Sequence, residues 1–370
     1  MTDRTDRAGP AFGGPADGPP YGGPALDRPR DGGAPVTVAG APAIPGLRFR
    51  TYRGPIDAAA LVAVENAELA ADGIDELYTA EGLAVELECA GNETPERELV
   101  IAEVDDVPVA YARRSWRPRG DVRVYEHAGR VHPAWRRRGL GRALLRHQAS
   151  ALRDLASAQA HVGEVALGSW TDERNTGATA LLLAEGYRPI RWYVDMVRPS
   201  IDPVAEVPVP DGIRIVAPDP ADRGSLLTLL ALEAEAFRDH WGAHPTTDAE
   251  KAGILADPAV DPALWRVAWD GDDIAGLVRP IVFTEENEAF GRHRIWIDTL
   301  SVRRPWRRRG LARALLTAAL VAGRERELTS AGLSVDTDNT TGALALYERL
   351  GFVRQAAAVA YRKPLEDLST

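Results

Sequence analysis

The feature that most constrains this chain is an internal repeat. Residues 131–145 read VHPAWRRRGLGRALL and residues 302–316 read VRRPWRRRGLARALL, so eleven of the fifteen positions are identical. The two copies are 171 residues apart, which is about one domain length. The repeat therefore predicts two domains of one fold, for which a chain of 370 residues is long enough.

Each copy places an Arg-rich turn and a glycine just before an apolar-periodic helix, and this arrangement predicts anion binding. The first N–H groups of a helix have no intrahelical acceptor and lie at the positive end of its dipole. Gly310 has no Cβ, so phosphates can approach its backbone closely. Arg307, Arg308 and Arg309 add positive charge and forked donors. The alternative is a solvated basic turn that caps a core helix.

The two turns resemble the acyl-CoA pyrophosphate loop of the GNAT superfamily of N-acetyltransferases. The matching patterns are Arg307-x-x-Gly310-x-Ala312 and Arg136-x-x-Gly139-x-Gly141. The resemblance implies acetyl-CoA as cosubstrate and no metal. It also implies a set of cofactor-binding residues, which comprises Leu300, Val302, Arg307, Arg308, Arg309, Gly310, Leu311, Ala312, Arg313, Asn339, Arg136, Arg137, Arg138, Gly139 and Gly141.

The order of elements also resembles that of GNAT proteins. In each half the sequence predicts a strand, two helices, three strands, a helix, a strand, a helix and a strand. The predicted fold class is α+β (α/β mixed), with two tandem GNAT-like domains, each a mostly antiparallel mixed sheet flanked by helices. We expect a Gly/Pro-rich disordered tail at 1–44, domains at 45–198 and 212–370, and a linker at 199–211. The duplication is similar to the tandem-domain actinobacterial type of this superfamily that includes mycothiol synthase.

Composition argues against several classes of partner. The net charge of −10 and the pI of about 5.3 disfavour nucleic-acid binding through the Arg runs. The chain has no run of about 20 apolar residues and no secretory signal, so no membrane partner is expected. One cysteine, Cys89, cannot form an intramolecular disulfide, which favours a cytoplasmic location. A monomer or a homodimer is expected.

Transfer of an acyl group from a thioester needs a proton donor for the departing thiolate, because a free thiol titrates near about 8.5. In GNAT enzymes the donor is usually a Tyr on the helix after the fifth strand, and Tyr347 falls at that position by resemblance. The first half is one residue shorter there, and Leu182 or Leu183 replaces the Tyr. Leucine donates no proton, so we expect the second half to be catalytic and the first to be degenerate. The alternative for Tyr347 is a packed core aromatic.

The candidate base lies on the strand before the second turn. Many GNAT relatives carry a Glu six residues before the position of Val302, where this chain has Trp296. Asp298 follows two residues later and shares a face with Leu300 and Val302 under strict alternation. Asp298 is therefore predicted as the base, or as the holder of a water that is the base. The alternative is an Asp hydrogen-bonded to the neighbouring strand.

The acceptor side is expected to include the loop between the first two helices of the second half. Asp239, His240 and Trp241 combine aromatic and ionisable groups there and are candidate substrate contacts. Pro245 disfavours a zinc site built from His240 and His244. The leading function is an acetyl-CoA-dependent N-acetyltransferase acting on a small amine. The alternatives are a non-catalytic acyl-CoA sensor and an enzyme that acetylates a protein amine.

Overall fold

A computed structural model describes most of the chain from residue 33 onward. The described ranges are 33–89, 94–119, 122–159, 161, 163–204, 207–238, 240–241, 246–338 and 342–365. The first 32 residues of the predicted tail and the candidates Asp239 and Asn339 lie outside these ranges.

In the first half, the described elements follow the predicted order. Its strands are β1 Leu47–Thr51, β2 Leu99–Val104, β3 Val107–Arg119, β4 Val122–Val131, β5 Glu164–Asp172 and β6 Arg188–Arg198. Its helices are α1 Ala58–Asp72, α2 Ala80–Cys89, α3 Pro95–Glu98, α4 Leu140–Ala158 and α5 Thr176–Ala184. The short helix α3 is an addition to the prediction.

The second half repeats this order. Its strands are β7 Ile213–Val216, β8 Arg266–Asp270, β9 Asp273–Ile281, β10 Arg294–Val302, β11 Ser330–Asp336 and β12 Val353–Pro364. Its helices are α6 Arg223–Ala236, α7 Asp248–Ile254, α8 Thr284–Ala289, α9 Leu311–Glu325 and α10 Ala343–Arg349. Here the short helix α8 is the addition.

The described strands form one continuous twelve-stranded sheet. Its order is β1-β2-β3-β4-β5-β12-β6-β11-β10-β9-β8-β7. The pairs β4–β5 and β10–β11 are parallel, and the other neighbours are antiparallel. The final strands are exchanged, because β12 lies beside β5 of the first half and β6 lies beside β11 of the second. The predicted mixed, mostly antiparallel fold with flanking helices is confirmed, and the two halves share its sheet.

The helices that follow the two Arg-rich turns bury their apolar faces in the core. In α4 the buried residues include Leu140 and Leu144, and in α9 they include Leu311 and Leu315. Burying one such side chain stabilises the fold by about 1.5–3 kcal/mol. Each turn is therefore fixed to the sheet by the helix that it precedes.

The segment 33–44, predicted as part of the disordered tail, is instead packed on the first half. The N–H of Val36 donates to the carbonyl of Phe49 in β1 at 2.9 Å. Val38 is only 6% exposed and shares a core cluster with Leu140. The prediction was wrong for this segment because the short apolar stretch was averaged into a Gly- and Pro-rich window.

We expect Val38→Ala to lower the free energy of unfolding by about 1–2 kcal/mol, because it removes buried methyl groups and leaves a cavity. The control is Ile56→Ala, since Ile56 is 78% exposed. The control should change stability by less than about 0.5 kcal/mol. Denaturant midpoints measure both variants, and an unchanged midpoint for Val38→Ala would contradict the packing of the segment.

Candidate functional site

The two Arg-rich turns adopt the same backbone conformation. Arg137 and Arg308 both have φ of 62°, and Gly139 and Gly310 have φ of 91° and 85°. Left-handed backbone is uncommon and costly for a residue such as arginine. Its presence at equivalent positions of both turns indicates a backbone held in a specific shape.

One arginine in each turn fixes the loop to its own domain. In the second half, Arg307 donates through Nε to the carbonyl of Val302 at 2.9 Å and through a terminal nitrogen to the carbonyl of Ala236 at 3.0 Å. In the first half, Arg136 makes two bonds of 2.7 Å to the carboxylate of Asp72. Both guanidinium groups were predicted to meet the cofactor, and both are engaged by protein groups.

The remainder of the second turn is open to solvent. Its exposed residues are Arg308, Arg309, Gly310 and Arg313. The first intrahelical bond of α9 runs from the N–H of Ala314 to Gly310, so the preceding N–H groups have no intrahelical acceptor. A Cβ on Gly310 would have no atom within 4 Å, whereas a Cβ on Gly139 would lie 3.6 Å from Pro42. The segment 33–44 therefore approaches the first turn.

Beside each turn, two parallel strands pair and then separate. β4 pairs with β5 from Val122 to Glu126, and β10 pairs with β11 from Arg294 to Ile297. Leu300 and Val302 follow on the part of β10 that has left β11. A separated edge of this kind offers backbone N–H and C=O groups to an extended ligand.

In the first half the separated strands border a cavity of about 490 Å³. Two protein side chains already use this edge: Glu68 accepts the N–H of Val131 at 2.9 Å, and the hydroxyl of Ser169 donates to the carbonyl of His127 at 2.9 Å. Burial raises the pKa of Glu68. In the described part of the chain no side chain accepts the N–H of Val302, the residue equivalent to Val131.

His127 and Tyr187 form a buried pair beside this cavity, and the sequence analysis missed it. His127 Nε2 lies 2.7 Å from the Tyr187 hydroxyl. Burial lowers the pKa of His127 to about 4, so the imidazole is neutral at pH 7. His127 is 171 residues before Asp298, so the two residues occupy equivalent positions of the repeat. Alignment of the two copies is therefore the sequence signal that identifies His127 as a candidate.

Tyr347 lies on α10, is 9% exposed and belongs to the core of the second half. Burial raises the pKa of Tyr347 to about 12, so its hydroxyl is protonated at pH 7. Equivalent backbone bonds identify its counterpart. Phe352 donates to the carbonyl of Tyr347, and Tyr187 donates to the carbonyl of Leu182, each at 3.0 Å. Of the two leucines left open by the sequence, Leu182 occupies the tyrosine position.

Asp298 lies at a β-bulge, and the alternation that placed it beside Leu300 and Val302 does not hold there. The register between β10 and β9 shifts at this residue, which is left out of the ladder. Its carboxylate forms an ion pair with buried Arg279, which also lies 3.3 Å from Glu233. The role of Asp298 as the base stays a prediction. The guanidinium of Arg279 contacts the carboxylate that would accept the proton.

The described acceptor candidates lie near the junction of the halves. The ring of Trp241 is 6.2 Å from that of Trp170 in β5 and 6.4 Å from that of Tyr193 in β6. His240 packs edge-on against Phe237, with ring centroids 4.5 Å apart. These contacts link the loop to both halves.

A cavity of about 800 Å³ lies between the α1–α2 connection and α2 of the first half and α7 and α8 of the second. Trp296, which precedes the bulge, lines its wall. Its charged lining includes Glu76, Arg113, Arg117, Arg174, Asp195, Glu286 and Arg292. Neither His240 nor Trp241 lines it.

Glu76 is a partly buried acid in the lining of this cavity. Within the described ranges it makes no hydrogen bond or ion pair. Burial, together with the negative charges of Asp195 and Glu286, raises the pKa of Glu76 to about 7. Glu76 lies in the first half's counterpart of the helix–helix connection that holds Asp239, His240 and Trp241, and this equivalence is the sequence signal that marks it.

No helix in the described part of the chain has the length and apolar character needed to cross a bilayer. Among the same residues, no group of three or more His, Cys, Asp or Glu side chains is arranged to hold a metal ion.

A separated parallel strand pair beside an Arg- and Gly-containing turn at a helix start, used twice in one chain, is the arrangement of a tandem acyl-CoA-dependent acyltransferase fold. The profile of the Acetyltransferase (GNAT) family matches residues 64–187 and 226–352, which together exceed half of the chain. The chain belongs to this family and is an acyl-CoA-dependent N-acetyltransferase of the tandem type.

Similar proteins agree with this assignment. A mycothiol acetyltransferase of Geodermatophilus obscurus is 30% identical over 328 residues, covering 87% of this chain and 99% of that protein. One from Salinispora arenicola is 35% identical over 235 residues, covering 63% of this chain and 71% of that protein. The crystal structure of a GCN5-related N-acetyltransferase from Sphaerobacter thermophilus matches with a TM-score of 0.63 and 28% identity, covering 86% of this chain and 95% of that one.

We expect the free energy of unfolding to decrease as the pH rises from about 5 to about 8, in part because of Glu76. Its folded pKa of about 7 is above the ordinary value of 4.5, so the folded state binds more protons in this window. Glu76→Gln should therefore raise the free energy of unfolding at pH 8 by about 1–3 kcal/mol and have little effect at pH 5.

Denaturation of the wild type and Glu76→Gln at both pH values measures this difference. Glu81→Gln is the control, because Glu81 is exposed on α2. A stability gain that is equal at pH 5 and pH 8 would contradict the role of Glu76.

Proposed function

We propose that the second half transfers an acetyl group from acetyl-CoA to the amine of a small molecule, and that the first half has lost turnover. The observation that carries this proposal is the difference between the two equivalent clefts. The second has an open backbone edge at Val302 and Tyr347 at the donor position. The first has Val131 bound by Glu68 and has Leu182 in place of the tyrosine.

On this proposal, acetyl-CoA binds along the second turn and the separated edge of β10. The exposed Arg308 and Arg309 neutralise phosphate charge, while the N–H groups that begin α9 donate to phosphate oxygens. The backbone of Leu300 and Val302 pairs with the pantetheine arm, as the GNAT resemblance implies. Asn339 would meet the same arm by the same resemblance.

Tyr347 donates a hydrogen bond to the departing thiolate in this scheme. Its raised pKa keeps the donor present throughout the neutral range. Asp298 remains the candidate base, acting on the amine directly or through a water. The acceptor must lose a proton before attack, because an ammonium group has no lone pair.

The acceptor class follows from the 800 Å³ cavity, whose size suits a small molecule better than a folded protein surface. Glu76, Asp195 and Glu286 favour a cationic amine, and the arginines of the lining favour hydroxyl or carboxylate groups on the same molecule. The relatives are named for mycothiol, so its unacetylated form belongs in the first acceptor panel. Acetylation of a protein amine is the second candidate, and mass spectrometry of products distinguishes them.

We expect calorimetry to find one tight acetyl-CoA site per chain, in the second half. The test uses matched variants: Arg308→Asn with Arg309→Gln, and Arg137→Asn with Arg138→Gln. Asparagine tolerates the left-handed backbone that both turns need, so each change removes charge without distorting the loop. Only the first variant should weaken binding, by about tenfold or more.

Two sites of equal affinity would show that the first turn also binds the cofactor. Loss of binding in the Arg137→Asn, Arg138→Gln variant alone would reverse the assignment of the halves. Absence of binding in the wild type would contradict the proposed donor.

We expect Tyr347→Phe to reduce kcat by about tenfold or more, because it removes the hydroxyl that meets the leaving thiolate. Acetyl-CoA affinity should be retained, since the ring is preserved. Tyr187→Phe is the matched control: it removes a buried hydroxyl in the first half and should leave kcat unchanged within about twofold. Thiol release in steady state measures both, and normal turnover in Tyr347→Phe would remove its proposed role.

A further inference from the structure

The exchanged strand β6 brings the first half against the segment that leads from β11 to α10 in the second half. The pairing of β6 with β11 ends at Tyr193 opposite Asp336. Immediately beyond it, Thr337 donates to the carbonyl of Trp192 through its N–H at 3.1 Å and through its hydroxyl at 3.2 Å. The start of this segment is therefore held by residues of the other half.

Arg191 of β6 adds a charged contact to these backbone bonds. Its Nε and one terminal nitrogen each donate to a different oxygen of Asp336 at 2.8 Å. Its other terminal nitrogen lies 3.5 Å from the carboxylate of Asp338. The side chains of Arg191 and Asp336 are only 18% and 11% exposed, so solvent screens the pair weakly. A two-point bond between planar groups fixes orientation as well as distance.

The first half has the same backbone bond and lacks the arginine. Glu173, equivalent to Thr337, donates its N–H to the carbonyl of Ala357 in β12 at 2.9 Å. The position in β12 that corresponds to Arg191 is Ala356. Asp172, equivalent to Asp336, is bound instead by Arg174 of its own loop at 2.7 Å.

We propose that Arg191 is a positioning residue for acetyl transfer, supplied by the first half to the site of the second. It binds Asp336 and contacts Asp338, and α10, which carries Tyr347, begins five residues after Asp338 at Ala343. On this proposal, the contacts of Arg191 set where the chain leads toward α10, and so where the hydroxyl proposed to meet the thiolate lies. The inference rests on the proposed role of Tyr347, and it gives the non-catalytic half a function in the reaction.

The test compares Arg191→Gln and Arg191→Lys with the wild type. Small misplacement of a reacting group reduces the chemical step strongly, so Arg191→Gln should lower kcat by about tenfold. The KM for acetyl-CoA should change by less than about threefold, because the second turn is untouched. Arg191→Lys keeps the charge without the planar fork, so its kcat should lie between those of the wild type and Arg191→Gln. If Arg191→Gln does not fold, the kcat of Arg191→Lys is compared with that of the wild type instead.

The matched control is Arg354→Gln, which removes the exposed 3.3 Å ion pair between β12 and Glu173 of the first half. It also breaks an ion pair between the halves and should leave kcat unchanged. A double variant with Tyr347→Phe separates positioning from general damage. If Arg191 acts through Tyr347, Arg191→Gln should lower kcat by less than about threefold in the Tyr347→Phe background.

Each contrary result has a distinct meaning. Normal kcat in both Arg191 variants, together with a defective Tyr347→Phe enzyme, overturns the inference and leaves the proposed function standing. Full loss from Arg191→Gln in both backgrounds also overturns it, because the effect then does not pass through Tyr347. Normal kcat in Tyr347→Phe itself contradicts the proposed function.

Discussion

The exchange of the final strands is the constraint on which the rest of the structure depends. Because β6 lies between β11 and β12, neither half completes its sheet with its own last strand. The hydrogen bonds that close each half are contributed by the other, so the two halves cannot separate without breaking both ladders. The linker between β6 and β7 adds to this attachment, because Ile201 is buried in the core of the second half and its N–H donates to the carbonyl of Thr329 at 2.7 Å.

The two halves keep the same turn conformation but differ at the strand edge beside it. Both keep the turn conformation, with arginines at φ of 62°. In the first half the N–H of Val131 is bound by Glu68, and in the described part of the chain no side chain accepts the N–H of Val302. An N–H that is bound in this way is not available to pair with an extended ligand. On the proposed function, the first half supports its partner structurally without a reaction of its own.

Local features were predictable from sequence, and non-local ones were not. The turns, the helices that follow them and the strand β10 were predicted closely because periodicity and turn chemistry act over a few residues. Arg191 carried no local signal, since its partner Asp336 is 145 residues away and meets it only through the exchanged strand. The bulge at Asp298 was missed because alternation assumes an uninterrupted ladder. Leu182 was separated from Leu183 only by its backbone bond to Tyr187.

The raised pKa of Tyr347 limits how it can act. At about 12 it exceeds the pKa of a free thiol, near about 8.5, so complete proton transfer from the phenol to the thiolate would be uphill. A hydrogen bond carries no such cost, and it stabilises the negative charge as the C–S bond lengthens. The proton that the thiolate finally receives must come from a stronger acid, and the ammonium formed when the amine attacks the thioester is one. On the proposed function, Tyr347 therefore acts as a fixed hydrogen-bond donor whose effect depends on its position, which is why the residues that place α10 would matter for the reaction.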